Sequence, residues 1–308
     1  MKVLVTCPPM LGMQEQFLSK FEDKNIEVYC PNVIQTMSES ELIEIVPNYD
    51  GWIIGDDPAT RAVFEAGKRG RLKAAVKWGI GVDNVDFDAC NDLNIPIINT
   101  PNMFGPEVAD IAVGYVVGLA RETYLIDRSI RNGEWPKNRG ISLGGKTVGL
   151  IGYGDIGKNT AKRLLAADMN IIGYDPNVSK DVKNIEFSDW PNRINECDFL
   201  VFTCSLNDKN KQMLNADVLS QCKPGVRVVN VARGPLIMED ALIAALRSGH
   251  VHSAALDVFH EEPLPMSSPL REMPLCILGS HNGSNTSDAV AKTNDRAISE
   301  LFNFLGVK

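Results

Sequence analysis

Three side chains in the last third of the chain carry groups that proton transfer at an alcohol would need. An imidazole such as that of His281 can take or give a hydroxyl proton, and a carboxylate such as Glu262 beside it would stabilise its protonated form and fix its tautomer. The guanidinium of Arg233 could hold a carboxylate through two parallel hydrogen bonds while it polarises an adjacent carbonyl. Each residue also has a plain alternative, as a solvated arginine, a surface glutamate before proline, or a polar loop histidine.

These residues lie just beyond short apolar runs that are typical of buried strands, and further runs of this kind alternate with helical patterns. This alternation predicts an α/β fold in which parallel sheets carry helices on both faces. Since ligands bind at the carboxyl ends of strands in open α/β sheets, Arg233 and His281 should lie at the ligand edge. The predicted strands are Lys2–Thr6, Ile26–Cys30, Trp52–Ile54, Leu72–Trp78, Ile95–Asn99, Phe199–Cys204, Val226–Asn230, Ser253–Leu256 and Cys276–Leu278.

A glycine-rich turn at residues 152–157 joins another apolar strand to an amphipathic helix. In a dinucleotide-binding unit, Gly152 would permit the tight turn, Gly154 would let a pyrophosphate approach the backbone, and Gly157 would let the helix pack on the strand. The pyrophosphate would lie at the helix N-terminus, where the free N–H groups favour negative charge.

The strand after this turn ends in Asp175, about 20 residues beyond the glycines as the dinucleotide motif requires. A carboxylate there accepts hydrogen bonds from ribose hydroxyls and repels a 2′-phosphate, so we expect NAD rather than NADP. The alternative is that Asp175 is a turn residue before Pro176.

The bulk properties limit the class of protein. A length of 308 residues indicates two domains, and 44% hydrophobic residues suffice for two cores. A net charge of −8 argues against nucleic acid or an acidic membrane as a general partner, but not against a small anionic substrate. The first apolar run is too short for a signal peptide, and no run is long enough to span a membrane. Seven scattered cysteines without metal-type spacing indicate reduced thiols in a cytoplasmic protein without a metal site.

Two helices bear on domain organisation. The apolar stretch Val108–Ala120 predicts a buried helix at a domain junction or dimer interface, with Gly114 and Gly118 allowing close packing. The closing helix, Val290–Leu305, is expected to cross back onto the first domain and make that domain discontinuous.

Several separate segments resemble the D-2-hydroxyacid dehydrogenase family, over nearly the whole chain. The similar segments are residues 77–86, 99–110, 152–157, 230–234, 257–263 and 281–283. The chain most resembles the D-3-phosphoglycerate dehydrogenases of this family, in a short form without their C-terminal regulatory domain. The resemblance implies a Rossmann NAD-binding domain, residues 100–282, inserted into a discontinuous flavodoxin-like substrate domain of doubly wound parallel sheet, residues 1–99 and 283–308.

The resemblance also implies roles for individual residues. Catalysis is assigned to Arg233, Glu262 and His281, with His281 as the acid/base. NAD binding is assigned to Gly152, Gly154, Asp155, Ile156, Gly157, Asp175, Pro176, Cys204, Ser205, Val231, Ala232, Arg233, Asp257, His281 and Gly283. Substrate binding is assigned to Trp78, Gly79, Ile80, Gly81, Val82, Arg233 and His281.

The expected reaction is NAD-dependent hydride transfer between a D-2-hydroxy acid and its 2-oxo acid, with 3-phosphoglycerate or a related small hydroxy acid as substrate. Departures from the family pattern at Lys77, Trp78, Ser205 and Ser280 leave the catalytic groups in place, but Lys77 and Trp78 could reshape the substrate pocket. The basic residues considered for a substrate phosphate are Lys77, Arg131 and Arg139.

Two other functions stay open at this point: an NAD-sensing regulatory protein of the same fold, and a formate- or phosphite-type dehydrogenase. A homodimer through the region 108–145 is also expected, by the resemblance and because the helix 108–120 is more apolar than a surface helix should be.

Overall fold

The computed structural model describes residues 1–178 and 182–307, which divide into two compact units. The first unit contains Met1–Met103 and the C-terminal segment from Asn285, and the second contains Phe104–Ser284. The first unit ends at Met103 and resumes at Asn285, whereas the predicted domain ended at residue 99 and resumed at residue 283. Thr100 is still bonded to the first unit through its amide, which donates to the carbonyl of Gly79. Gly283 is bonded to Asp257 of the second unit.

The elements follow the predicted alternation. The strands are β1 Lys2–Val5, β2 Glu27–Tyr29, β3 Gly51–Ile54, β4 Ala74–Lys77, β5 Ile97–Asn99, β6 Thr147–Ile151, β7 Asn170–Tyr174, β8 Glu186–Phe187, β9 Phe199–Phe202, β10 Val226–Asn230, β11 Val251–Leu256 and β12 Cys276–Leu278. The helices are α1 Pro8–Leu11, α2 Gln14–Glu22, α3 Glu39–Ile45, α4 Arg61–Arg69, α5 Phe87–Asp92, α6 Gly105–Arg121, α7 Thr123–Arg131, α8 Asp155–Ala166, α9 Ala216–Gln221, α10 Glu239–Ser248 and α11 Ser287–Leu305.

The first unit is a parallel sheet in the order β2-β1-β3-β4-β5, the flavodoxin-type order. Strands β3 and β4 are buried along their whole length, because helices cover both faces. A capping box starts α3, since the hydroxyl of Ser38 accepts from the amide of Glu41 and the Glu41 side chain accepts from the Ser38 amide.

Helix α11 returns to this first sheet. It begins at Thr286, whose side chain accepts a hydrogen bond from the amide of Ala289. A Cβ placed on Gly51 of β3 would lie 3.1 Å from side-chain atoms of both Leu301 and Leu305, so the helix packs closely on the strand. The closing helix therefore belongs to the first compact unit.

The second unit is a parallel sheet in the order β12-β11-β10-β9-β6-β7-β8. The chain leaves β6 toward β7 and β8 on one side and returns to β9 on the other, so the strand order reverses beside β6. Such a reversal point is where open α/β sheets bind ligands, at the carboxyl ends of the strands. Because all these strands are parallel, the segments that follow them lie along one edge of the sheet.

Some elements were not predicted, namely α1, α5, α7 and the short strand β8. Helix α5 starts at Asp86, whose Oδ1 accepts from the amide of Ala89 at 2.7 Å. Helix α7 is amphipathic and contains no buried residue. Within residues 1–178 and 182–307, no helix combines the length and apolarity needed to cross a membrane.

Candidate active site

The glycine turn after β6 has the backbone that its sequence predicts. Gly152 has φ +94°, and a Cβ there would lie 2.6 Å from the backbone N of Cys204. A Cβ on Gly157 would lie 2.1 Å from the carbonyl oxygen of Gly152. Gly152 and Gly157 therefore serve the tight turn and the close approach of helix to strand.

The outer side of this turn is open and could hold a phosphate group. Gly154 is the N-cap of α8, and no atom lies within 4 Å of the place that its Cβ would take. The first amide groups of α8 have no intrahelical acceptor, so they can bind an anion there. This cradle fits the pyrophosphate of a dinucleotide.

The carboxylate of Asp155 points away from that cradle. A Cβ on Gly105, at the start of α6, would lie 2.4 Å from Asp155 Oδ1, and Asn159 Nδ2 donates to the same oxygen at 3.2 Å. The acidic side chain thus lies at the N-terminus of α6, where negative charge is stabilised. Asp155 and Ile156 can still offer their amide groups to a pyrophosphate.

Asp175, at the end of β7, combines both of the proposed roles in one side chain. Its Oδ2 accepts from the amide of Tyr153 at 2.8 Å, and its Oδ1 accepts from the amide of Asn177 at 2.9 Å across the exposed Pro176. It is therefore a turn residue that also fixes the glycine turn. A carboxylate has about four acceptor positions, so two protein bonds leave capacity for ribose hydroxyls.

The segment after β9 lies against the glycine turn. Thr203 Oγ1 donates to the carbonyl of Gly152 at 2.9 Å, and Asn210 Nδ2 donates to the carbonyl of Ser205 at 2.7 Å. Burial raises the pKa of Cys204 to about 12, so this cysteine is a neutral thiol rather than a nucleophile. Cys204 and Ser205 thus border the predicted cofactor edge.

His281 and Glu262 form a direct pair. His281 Nδ1 lies 2.7 Å from Glu262 Oε2, and Glu262 Oε1 accepts from the amide of Phe259 at 2.9 Å. Both side chains are about one-fifth exposed. The hydrogen-bond network assigns the proton on Nδ1 to the bond with Glu262, so proton exchange with a ligand would use Nε2.

The backbone around His281 is held by Asp257, the residue after β11. His281 has φ +54°, and its amide donates to the carbonyl oxygen of Asp257 at 2.7 Å. The amide of Gly283 donates to Asp257 Oδ2 at 2.8 Å. The side chain of Asp257 is only 3% exposed, so it acts as an internal support for the segment 281–283.

Arg233 follows β10 in a segment that Asn230 organises. Asn230 Oδ1 accepts from the amide of Ala232 at 3.0 Å, and its Nδ2 donates to the carbonyl of Arg233 at 2.9 Å. A Cβ on Gly234 would lie 1.9 Å from the carbonyl oxygen of Phe259, so this segment touches the one that leads to Glu262. The structure thereby brings the Arg233, Glu262 and His281 segments to the ends of neighbouring strands, β10, β11 and β12, with Val231 and Ala232 buried behind them.

In the first unit, the segment after β4 presents unpaired amide groups. Gly79 has φ +113°, and its amide donates to Thr100 Oγ1 at 2.7 Å. The following amides, of Ile80, Gly81 and Val82, donate no hydrogen bond to any residue in the described part of the chain. The Ile80 and Val82 side chains are exposed, so a small carboxylate could reach these amides.

Trp78 and Lys77 differ from the expectation that they face a ligand. The indole N–H of Trp78 donates to Asn294 Oδ1 at 2.8 Å, and the side chain is only 5% exposed. Lys77 is 2% exposed, and its Nζ lies 2.9 Å from the carbonyl oxygen of Trp78 and 3.2 Å from Asp56 Oδ1. Both side chains thus stabilise the segment after β4 by hydrogen bonds to partners within the first unit. Of the other basic residues considered for a phosphate, Arg131 is exposed and pairs with Asp127, and Arg139 is exposed.

Sequence reasoning missed the side chains that hold these segments, above all Asn230, Thr203, Thr100 and Tyr115. Tyr115 lies on α6 and donates to Asp257 Oδ1 at 3.3 Å. No sequence pattern reveals such partners, because they come from distant elements. Metal binding has no candidate among the described residues, since none of their His, Cys, Asp and Glu side chains form a group of three suited to an ion. All seven cysteines are free thiols.

Comparison with known proteins agrees with this geometry. Residues 113–283 match the family model described as "D-isomer specific 2-hydroxyacid dehydrogenase, NAD binding domain". The chain is 34% identical over 276 residues to a hydroxypyruvate reductase of Thermotoga maritima, covering 88% of this chain and 90% of that protein. It is 35% identical over 295 residues to a D-3-phosphoglycerate dehydrogenase of Methanocaldococcus jannaschii, covering 94% of this chain but only 54% of that protein.

Solved structures are similar over nearly the whole chain. The TT0316 protein of Thermus thermophilus has a TM-score of 0.88 at 28% identity, covering 99% of this chain and 97% of that one. An NAD-dependent formate dehydrogenase of Staphylococcus aureus, in complex with NAD, has a TM-score of 0.85 at 25% identity, covering 99% and 96%. The matched domain and the open glycine turn agree on NAD as the cofactor. The chain is therefore an NAD-dependent oxidoreductase that belongs to the D-isomer specific 2-hydroxyacid dehydrogenase family.

Proposed function

We propose that the protein interconverts a small D-2-hydroxy acid and its 2-oxo acid. The observation that carries this proposal is the His281–Glu262 pair at 2.7 Å. Its two residues follow β12 and β11, and Arg233 follows β10, the neighbour of β11 in the same sheet. An imidazole with a carboxylate on one nitrogen can exchange a proton through the other nitrogen. A guanidinium nearby suits a substrate with a carboxylate beside its reacting carbon.

The proposed proton transfer is symmetrical in the two directions. Bound NAD would supply the hydride acceptor for oxidation at C2 of the hydroxy acid, and NADH would supply the hydride donor for reduction of the 2-oxo acid. During oxidation, His281 Nε2 takes the proton of the C2 hydroxyl, and Glu262 stabilises the imidazolium that forms. During reduction, the same imidazolium gives the proton to the 2-oxo oxygen while Arg233 holds the carboxylate and polarises the carbonyl.

The residues proposed to hold NAD are those of the second sheet edge. The amides of Asp155 and Ile156 at the Gly152–Gly157 turn would bind the pyrophosphate, and Asp175 beside Pro176 would bind the adenosine ribose. The remaining proposed contacts are Cys204, Ser205, Val231, Ala232, Arg233, Asp257, His281 and Gly283.

The proposed substrate is a small 2-oxo acid without a phosphate group, such as hydroxypyruvate or glyoxylate. Amide groups of Ile80, Gly81 and Val82 would bind its carboxylate. Lys77, the basic residue nearest to that segment in sequence, is bonded to Asp56 and to the carbonyl of Trp78, so its charge is already balanced. The relative covered over nine-tenths of its length is a hydroxypyruvate reductase.

3-Phosphoglycerate is the second candidate substrate, because several relatives at about 35% identity are D-3-phosphoglycerate dehydrogenases. The chain spans about half the length of those relatives. NADH oxidation with hydroxypyruvate, glyoxylate, 3-phosphohydroxypyruvate and bulkier 2-oxo acids, compared by kcat/KM, separates the candidates. A preference for 3-phosphohydroxypyruvate would refute the assignment of an unphosphorylated acid.

The same assay tests the reaction class. His281→Ala or Arg233→Ala should abolish turnover while NADH binding, measured by fluorescence, survives; full activity in either variant would refute the assigned roles. An absence of turnover with every 2-oxo acid would favour an NAD-sensing protein, or a formate- or phosphite-type dehydrogenase if formate or phosphite reduces NAD.

We further propose a homodimer through the region 108–145, in the cytoplasm. Large apolar side chains are exposed there, with Tyr124 48%, Ile130 41% and Trp135 78% accessible, which is unusual for a monomer surface. Light scattering during size-exclusion chromatography should give about twice the 33.8 kDa chain mass. A monomeric mass would contradict the dimer. Seven free thiols support a reducing compartment, and cell fractionation tests it.

A further inference from the structure

The carboxylate of Asp257 joins helix α6 to the segment that carries His281. Its Oδ2 accepts from the amide of Gly283 at 2.8 Å, and its Oδ1 accepts from the amide of Asn282 at 3.3 Å. The hydroxyl of Tyr115 donates to Oδ1 as well, also at 3.3 Å. Tyr115 thus brings a side-chain donor from helix α6 to the same carboxylate that binds the two amides. The direction of this hydroxyl helps to set how the carboxylate meets those amides.

Tyr115 is fixed in this position by its surroundings. It lies in the middle of the long helix α6 and is 7% exposed, so its ring cannot turn toward solvent. Burial, together with the charge of Asp257, raises the pKa of Tyr115, so the phenol stays protonated and donates. Gly279 leaves room for this contact, because it has no side chain. A Cβ on Gly279 would lie 2.5 Å from the Tyr115 hydroxyl oxygen and 2.2 Å from Asp257 Oδ1.

We propose that Tyr115 is a positioning residue for proton transfer, acting through Asp257 on the orientation of the segment 281–283 and so on His281. The inference rests on the proposed function, since it takes His281 to be the group that exchanges the proton. Its geometric part is independent of that function. His281 has φ +54°, and its amide is anchored to the main-chain carbonyl of Asp257, whereas the amides of Asn282 and Gly283 are held by the Asp257 carboxylate. A carboxylate that turns would therefore release the part of the segment that directly follows His281.

The first experiment compares Tyr115→Phe with Tyr174→Phe in steady-state kinetics with hydroxypyruvate and NADH. Tyr174 is a matched control, because its buried hydroxyl also donates one hydrogen bond, to the carbonyl of Asn192 at 2.9 Å. Loss of one hydrogen bond to a charged group should lower kcat about tenfold in Tyr115→Phe, with the KM for NADH within about twofold of wild type. Tyr174→Phe should keep the wild-type kcat. Equal kcat values in the two variants would overturn the proposal.

The second experiment tests whether Tyr115 acts through Asp257. If it does, Tyr115→Phe should lower kcat in the wild-type background but have little further effect in Asp257→Asn. If the Tyr115→Phe/Asp257→Asn double variant loses kcat by the product of the two single losses, the Tyr115 hydroxyl acts by another route. That result would overturn the proposal.

The third experiment needs no turnover. Amide hydrogen exchange of residues 281–283 should be at least about fivefold faster in Tyr115→Phe than in Tyr174→Phe, because one support of the carboxylate is removed. Unchanged exchange would refute the positioning role even if no 2-oxo acid is a substrate. An inactive wild-type protein with faster exchange in Tyr115→Phe would refute the proposed function and leave the support of the segment by Tyr115 standing.

Discussion

Replacement of Glu262 by glutamine tests the contribution of charge to the His281 pair. The change removes the negative charge and leaves one amide oxygen where the carboxylate had two. Glutamine can still accept from His281 Nδ1, but its NH2 group then faces the amide of Phe259, which loses its acceptor. Both partners are about one-fifth exposed, so the pair is shielded from solvent more than a surface ion pair would be. A hydrogen bond to a charged group in such a setting contributes about 1.5–3 kcal/mol, which corresponds to roughly a 10- to 150-fold change in rate.

We therefore expect Glu262→Gln to lower kcat by about 10- to 150-fold in both directions, since the imidazolium is formed or consumed in each. The KM for NADH should stay within about twofold, because the glutamate does not contact the glycine turn. Glu261→Gln is the matched control, as it makes the same chemical change at the neighbouring exposed residue. Stopped-flow NADH oxidation measures both variants. A Glu262→Gln variant that keeps more than half of the wild-type kcat would refute the role of charge.

Three further predictions concern the cofactor turn, the segment after β4 and a half-buried thiol. Gly152→Ala should lower NADH affinity by more than about tenfold in a fluorescence titration. The reason is that alanine is strained at φ +94° and its Cβ would lie 2.6 Å from the Cys204 backbone. Gly145→Ala is the control, because Gly145 also has a positive φ but open space around its Cβ position. Trp78→Phe should destabilise the protein by about 1–3 kcal/mol in urea unfolding, since Asn294 Oδ1 loses its indole donor, and unchanged stability would contradict this assignment. Because the pKa of Cys204 is raised to about 12, its thiolate forms only as the pH rises toward that value, so Cys204 should resist alkylation at pH 8. Rapid labelling of Cys204 at pH 8, located by mass spectrometry, would contradict the raised pKa.

The regular elements followed from the sequence because burial on both faces makes parallel strands continuous apolar runs. Residues of β3 and of β10 are all buried, and both strands were predicted almost to the residue. The roles of Gly152 and Gly157 could be predicted for a different reason. The backbone requirement that each glycine meets acts within a single turn, so the local sequence is enough to reveal it. Helix α7 was missed because it begins one residue after α6 ends, and neither glycine nor proline marks the turn at Glu122 between the two helices.

Side-chain directions at the site could not be predicted in the same way. Trp78 was assigned to substrate binding and Lys77 was considered for a substrate phosphate, but each is bonded to a partner from another element, Asn294 on α11 and Asp56 after β3. The contact between Tyr115 and Asp257 joins residues 142 positions apart. Local sequence patterns do not encode which distant partner a polar side chain will meet.

The two hydrogen bonds of Asp175 have a consequence for protein engineering. A change of preference from NAD to NADP usually begins by replacing the acidic residue that faces the ribose. Here that replacement would also remove the acceptor of the Tyr153 amide, inside the glycine turn itself. The preference for NAD and the geometry of the glycine turn thus depend on the same side chain. A redesigned enzyme would need a second substitution that gives the Tyr153 amide a new acceptor.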